Sequence, residues 1–337
     1  MRIYYHIDQL PFFKNAVVTV GTFDGVHTGH AQILEQLRAE AARIGGETVI
    51  VTFYPHPRKV VRGGSGDVPL LNTLEEKIQL LSWQGVDHLV VVPFTEIFSQ
   101  LTAEEYIREF LLRKFQPHTV IIGYDHRYGK GRLGDYHLLE QFSQSAGFEL
   151  QEIPVHLLDA VSVSSTRIRE AIGRADIDTA NQLLGYPYFF SGQVAEGRRL
   201  GRTIGYPTAN LVVGNPEKLI PADGVYAVEV SVPDSDAVSL TVPTMVEAPA
   251  VAPWDGVQWK GMMNIGMRPT VDGRERTIEV NIFDFNEDLY RRELRVTVRK
   301  WLREEVKFNG LEELKGQLAV DRQNALAALG RLRDQPI

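Results

Sequence analysis

The chain has 337 residues, enough for two domains of ordinary size, and its 44% hydrophobic and 23% charged residues describe a folded globular protein rather than a disordered one. A net charge of -7 argues against coating nucleic acid, so any anion site must be local; the absence of cysteine excludes disulfides, thiolate nucleophiles and zinc-thiolate centres. The opening M-R-I-Y-Y-H-I-D-Q-L lacks the apolar core of a signal peptide, and no later apolar run approaches the ~20 residues that span a bilayer, so a cytoplasmic protein with no membrane contact is expected.

From the start to about residue 180, short β-branched runs alternate with helical stretches. The runs are V-V-T-V (17-20), T-V-I-V-T-F (48-53), H-L-V-V-V (88-92) and T-V-I-I (119-122). Between them, Ile33, Leu34, Leu37 and Ala41 form one stripe at helical spacing, and Leu74, Ile78 and Leu81 form another. Thr73 with Glu76 and Thr102 with Glu105 have the spacing of capping boxes, which mark helix starts. This alternation predicts a parallel sheet covered on both faces, whose ligands sit outside the carboxyl ends of the strands.

The first run leads into G-T-F-D-G-V-H-T-G-H (21-30) and then a helix. Glycines before a helix N-terminus let a phosphate approach unpaired N-H groups and the positive end of the helix dipole. There is no Walker A lysine, so the cationic role would fall to His27 and His30, three residues apart at the helix start. A glycine-rich turn with surface histidines, or a metal held by the pair, are the other readings of this segment taken alone. T-F-Y-P-H-P-R-K (52-59) holds His56 rigidly between two prolines at a strand end. V-S-V-S-S-T-R-I-R-E-A-I (161-172) again runs into a helix, with Ser164, Ser165 and Thr166 at the cap and Arg167 and Arg169 in the first turn. Cations there oppose the dipole, which an anion shared with the backbone would explain; an ordinary capped helix is the alternative.

After about residue 183 the apolar segments become short, alternating and turn-bounded, as in an antiparallel barrel or sandwich, and one helix from about Leu311 to Leu329 closes the chain. The boundary is placed at 182/183, and Ser231 to Trp259 is read as a long, partly flexible surface excursion between strands. S-G-Q-V-A-E-G-R-R-L-G-R-T-I-G-Y-P-T-A-N-L (191-211) carries Gly197, Gly201 and Gly205 among Arg198, Arg199 and Arg202, a flexible flap over phosphates or a basic hairpin. Thr208 and Asn210 share one face of an extended segment and offer the hard oxygen ligands that suit Mg²⁺. Further along lie M-N-I-G-M-R-P-T (263-270), T-I-E-V-N-I-F-D-F (277-285) and D-L-Y-R-R-E-L (288-294), with Thr277, Glu279 and Asn281 on one strand face.

G-x-F-D-G-x-H-x-G-H, F-x-P-H-P, G-Y-D-H-R-Y-G-K-G-R-x-G-D (123-135) and S-S-T-R-I-R, in this order, resemble the adenylyltransferase module of bacterial bifunctional riboflavin kinase/FAD synthetases. The P-T-A-N segment and the motifs after it resemble the riboflavin kinase module of the same family. The resemblance implies a Rossmann-like α/β nucleotidyltransferase domain over 1-182 and a small antiparallel β-barrel with a carboxy-terminal helix over 183-337. It implies that Gly21, Phe23, Asp24, His27, His30, Asp125, Ser164, Ser165, Thr166 and Arg167 bind the ATP of the first reaction, with His27, His30 and Arg167 acting on its phosphates. Gly197, Gly201, Gly205, Thr208 and Asn210 would bind the ATP of the second, with Thr208 and Asn210 holding Mg²⁺ and Glu279 as base. His56, Tyr128 and Arg295 are expected on the flavin side.

The substrates so implied are ATP, riboflavin and FMN, the product FAD, with small molecules as partners, no nucleic acid, and a monomer or weak homo-oligomer. Where the family has phenylalanine, this chain has His126 and Tyr128; where it often has histidine, this chain has Asn281; and the 231-259 segment is longer than usual. The chemistry fits the residues. In forming FAD an FMN phosphate oxygen, already an anion, attacks the α-phosphorus of ATP, so positioning and charge neutralisation suffice, and Asp24 would orient the loop or bind magnesium rather than act as a base. The ribityl hydroxyl of riboflavin is a poor nucleophile and gains from a carboxylate that takes its proton. A flavin-binding regulatory protein without turnover, or a nucleotidyltransferase of other specificity, are the alternatives.

Overall fold

The computed structural model describes residues 1-61, 68-123, 126-153, 163-197, 200-232, 245-247, 258-270 and 273-332. The chain forms two compact units, Met1–Val163 with Leu240–Pro253 and Ser164–Ser239 with Trp254–Ile337.

The first unit is built on strands β1 (Arg2–Tyr4), β2 (Val17–Val20), β3 (Thr48–Tyr54), β4 (His88–Pro93), β5 (Thr119–Gly123) and β6 (Glu149–Ile153). They lie parallel in the order β1-β4-β3-β2-β5-β6. The inner strands are buried on both faces, which is why they read as continuous β-branched runs rather than alternating ones. Helix α1 (Thr28–Ile44) buries Leu34, Leu37 and Ala41. Helix α2 (Leu74–Trp83) starts at the expected capping box of Thr73 and Glu76, and the second box, Thr102 with Glu105, is also formed. Chain order reverses between β2 and β5, so the loops that leave these two neighbours open a crevice at the sheet's topological switch point.

Part of the Ser231 to Trp259 segment behaves differently from a surface excursion. Residues 245-247 form strand β10 (Met245–Glu247), antiparallel to β1, with Met245 opposite Tyr4 and Glu247 opposite Arg2. The reason is an exposed edge: β1 would otherwise present unpaired N-H and C=O groups to solvent. Three residues are too few for an alternating pattern to announce them. The remainder of that segment, and with it the expected flexibility, lies largely outside the described residues.

The second unit is a closed barrel of β7 (Phe189–Ala195), β8 (Ala209–Val212), β9 (Gly224–Ser231), β11 (Trp259–Thr270), β12 (Gly273–Ile282) and β13 (Glu293–Arg303), in the order β11-β12-β8-β7-β13-β9. Its pairs are antiparallel, and closure leaves the sheet without an open edge. Helices α3 (Ser165–Gly173) and α4 (Ile177–Leu184) group with this unit, ahead of the 182/183 boundary expected from the change in sequence texture. Asn181 explains much of this, donating to the Val298 carbonyl at 3.1 Å and accepting from the Tyr188 N-H at 2.8 Å.

The closing helix α5 (Leu311–Leu332) packs Ala325 and Leu329 against Ala227, Met262 and Phe283. Buried Asp321 on this helix accepts two bonds from the Arg303 guanidinium, at 2.8 and 2.6 Å. Asp321→Ala would leave that cation uncompensated at the helix-barrel junction and should destabilise the second unit by roughly 3–5 kcal/mol. Chemical denaturation followed by tryptophan fluorescence, with Trp301 on β13 as reporter, would measure the loss.

Candidate active sites

The loop after β2 has an unusual backbone. Phe23 (φ 47°), Gly25 (φ 92°) and Val26 (φ 38°) are left-handed, and for the bulky and β-branched residues this costs about 1–3 kcal/mol each. Phe23 is buried, its ring beneath Gly21, where an added Cβ would stand 3.1 Å from Phe23 Cε2. Asp24 is 2% exposed and its Oδ1 accepts from the Leu71 N-H at 3.1 Å, which ties the loop to the segment ahead of α2.

His27 is the N-cap of α1: its Nδ1 accepts from the His30 N-H at 3.4 Å. The two imidazoles stack, with centroids 3.7 Å apart and planes 15° from parallel. Phe23 closes on His30 at 5.0 Å. Burial, aided by the charges of His27 and Lys77, holds the His30 imidazole well below its usual value. His30 is therefore neutral near pH 7, whereas the sequence reading allowed both histidines to be cations. Its buried Nδ1 has no hydrogen-bond partner among the described residues.

One group beside this loop went unnoticed in the sequence. Lys77, on α2, is 7% exposed, and its Nζ donates to the Thr22 carbonyl at 2.7 Å and to Thr52 Oγ1 at 3.5 Å. A lysine on the apolar stripe of a capped helix was the available signal, since a buried lysine needs a partner.

The other expected residues of the first reaction are less uniform. His56 caps a short helix (Pro57–Val61), accepting from the Arg58 N-H at Nδ1, 3.2 Å. Tyr128 is 5% exposed, stacks on Tyr106 at 5.0 Å and donates its hydroxyl to the Asp135 carbonyl at 3.0 Å. It is packed into the core of the first unit, and Gly134 leaves room for its ring. Asp125 lies outside the described residues. In the second unit, Ser164 alone is the cap of α3, accepting from the Arg167 N-H at 3.3 Å, and Ser165 and Thr166, expected at the cap, lie with Arg167 in the first turn.

In the barrel, Gly197, Thr208 and Asn210 line one cleft with Pro207, Val280, Phe285 and Tyr290. A Cβ on Gly197 would overlap the Asn210 side-chain amide and force it to move. Residues 198-199 lie outside the described residues, but Leu200–Thr203 forms a single helical turn closed by the Tyr206 N-H to the Gly201 carbonyl, 2.8 Å. Gly201 packs so closely on the Tyr206 carbonyl that a side chain would clash, so this part is a tight turn rather than a loose flap. Gly205 (φ 83°) turns the chain into P-T-A-N.

Glu279 stands directly across the β12-β8 ladder from Asn210 and across the β12-β11 ladder from Asn264. Glu279 is not among the residues that line the cleft, although Asn210, its partner across the ladder, is. The Arg268 guanidinium lies 3.7 Å from its carboxylate. Asn281 is buried and donates to the Pro207 carbonyl at 2.7 Å, tying β12 to the P-T-A-N turn. Arg295 sits on β13 opposite Ser191 and Ser231, its guanidinium 5.4 Å from the Phe189 ring centroid.

Residues 10-167 match the FAD synthetase family and residues 184-329 the riboflavin kinase family. The bifunctional riboflavin kinase/FMN adenylyltransferase of Escherichia coli K12 is 34% identical over 330 residues, covering 98% of this chain and 97% of its own. This chain belongs to that bifunctional family. The enzymes of the same description from Listeria monocytogenes and Bacillus subtilis are 36% and 33% identical, covering 95% and 94% of this chain and 94% of their own length in each case. A crystal structure described as a macrolide-efflux protein from Streptococcus pneumoniae is similar over 99% of both chains, with a TM-score of 0.80 and 28% identity. Among the described residues of the present chain, no helix is long and apolar enough to cross a membrane.

For a riboflavin kinase/FMN adenylyltransferase, two of these geometries have measurable consequences. In the free protein the His30 titration midpoint, followed by NMR, should fall well below 6.5, and ATP should raise it, since added phosphate charge favours imidazolium. Gly197→Ala should displace Asn210 and cut riboflavin phosphorylation by about 10-fold or more, as expected for ~1–3 kcal/mol of overpacking, while FMN adenylylation on the same chain stays unchanged.

Proposed function

We infer that the barrel transfers the γ-phosphoryl group of ATP to the 5'-hydroxyl of riboflavin, and that the α/β unit joins the resulting FMN to AMP, releasing pyrophosphate. The observation that carries this assignment is the contrast between the two sites. The barrel sets a carboxylate, Glu279, in register with the P-T-A-N asparagine. The loop after β2 has its one carboxylate, Asp24, buried and committed to the backbone of Leu71.

In the kinase reaction Glu279 accepts the proton of the ribityl hydroxyl as that oxygen attacks phosphorus, and ADP leaves. Arg268 orients the carboxylate, while Asn210 and Thr208 face the phosphates. These two side chains supply neutral oxygen donors on one strand face, a set that suits a hard cation sharing its shell with phosphate oxygens. Mg²⁺ there would neutralise charge on the transferring group. In the adenylyltransferase reaction the FMN phosphate oxygen displaces pyrophosphate from the α-phosphorus without a base. The loop N-H groups, His27 and His30 hold the triphosphate. Flavin contact on this side falls to His56 and the loop that Tyr128 supports, and in the barrel to the strand carrying Arg295.

Incubating the protein with riboflavin, ATP and Mg²⁺ and separating the flavins by chromatography should yield FMN and then FAD; chelating the metal should stop both. Flavin that stays bound without product would instead indicate a binding protein, and a nucleotide adduct of another acceptor a different nucleotidyltransferase. Glu279→Gln should reduce FMN formation by about 10²–10⁴-fold, the usual worth of a general base, yet leave supplied FMN convertible to FAD. If both reactions survive undiminished, Glu279 is not the base.

A further inference from the structure

The loop after β2 keeps left-handed backbone at Phe23, Gly25 and Val26, a form that local sequence disfavours at two of its three positions. Something must hold it. The segment from Leu71 to Lys77 reaches it twice: through the Leu71 N-H to Asp24 Oδ1 at 3.1 Å, and through Lys77 Nζ to the Thr22 carbonyl at 2.7 Å. Thr52 Oγ1, from β3, donates to the same carbonyl at 3.1 Å and stands 3.5 Å from Lys77 Nζ. The first residue beyond Gly21 is thus gripped from beneath by an ammonium and a hydroxyl. The Phe23 and His30 rings of the same region pack on each other at 5.0 Å.

We propose that Lys77 is a positioning residue of the adenylyltransferase reaction, holding the G-T-F-D-G-V-H loop in its phosphate-accepting form from the buried side and doing so as a cation. The proposal rests on the reading that this loop receives the ATP phosphates. Lys77 does not touch substrate. It acts through the Thr22 carbonyl and through the field it casts on its neighbours.

The charged and titratable groups facing Lys77 are Asp24 from the loop and His30 from α1, with His27 stacked on His30. Asp24 favours the ammonium form, but burial outweighs it and brings the Lys77 pKa down to about 8. The sign follows. Below about pH 8 the cation is present, the Thr22 carbonyl receives a charge-assisted bond, and His30 is kept neutral until a phosphate arrives. As pH rises through 8 the proton leaves Lys77, the bond weakens to a neutral one, and the grip on the loop loosens. The barrel's site contains no such lysine among its described lining residues. Only FAD formation should carry this alkaline limb.

The test compares both reactions on the same full chain. In the unsubstituted protein, FMN adenylylation should fall as pH rises through about 8, while riboflavin phosphorylation shows no decline there. Lys77→Met should raise KM for ATP or lower kcat in adenylylation by at least 10-fold and leave phosphorylation within two-fold, with the full chain's far-UV circular dichroism unchanged to report that the α/β unit is folded. Lys77→Arg, which stays charged, should recover part of the adenylylation activity and move its alkaline limb upward by more than one pH unit. Adenylylation within two-fold of normal in Lys77→Met, or an alkaline limb unmoved in Lys77→Arg, would overturn the proposal. No adenylylation of FMN by the unsubstituted protein at any pH would overturn the reading of the site beneath it, a result distinct from failure at Lys77 alone.

Discussion

Left-handed backbone at Phe23 and Val26 is the constraint from which the first unit takes its form. Neither residue adopts it unaided, and the surroundings compensate: Asp24 turned inward to a backbone N-H, the Thr22 carbonyl held by Lys77 and Thr52, and the Phe23 ring packed under Gly21. Because β2 is central and borders the switch point of the sheet, the loop leaves the sheet where ligands of such folds sit, with Phe23, Asp24, Val26 and His27 buried. A rigid anion cradle needs those two properties together.

The two units divide the chemistry by the state of the nucleophile. FMN brings an ionised phosphate, so its site needs donors and geometry; riboflavin brings a hydroxyl, so its site needs a proton acceptor. The placement of carboxylates follows that division. Asp24 is tied to the Leu71 backbone, whereas Glu279 has Asn210 and Asn264 as ladder partners. The barrel makes this row possible because β8 pairs with β12 of the β11-β12 hairpin although β9 and β10 come between them in sequence. Asn281 anchors the Pro207 carbonyl, which keeps the P-T-A-N turn beside the strand that carries Glu279.

Much of this is legible in the sequence. Double-sided burial makes the inner parallel strands read as β-branched runs, and the two capping boxes are local hydrogen-bond patterns that need no tertiary partner. The barrel and its closing helix follow from alternation and from helical spacing for the same reason. Other features were hidden. Tyr128 looks like a loop aromatic available to a flavin but is drawn into the core by Tyr106 and by the space at Gly134. Strand β10 is only three residues long and pairs with β1, more than 240 positions earlier in the chain. Helices α3 and α4 carry no mark in sequence of which unit they join, because Asn181 settles it through bonds to Val298 and Tyr188.

The sequence by itself determined the element types, the order of the motifs, the family and the two reactions, because propensity, capping and phosphate-binding spacing are local properties of the chain. Tertiary structure decided the states of the groups. It made His30 neutral by burying it beside His27 and Lys77, turned Asp24 from solvent to Leu71, and set Glu279 across from Asn210. It also put an ammonium under a loop whose own sequence has no lysine. Charge state and strain depend on what surrounds a residue in space, and for Lys77 and Thr22, 55 positions apart, only the folded sheet brings the two together.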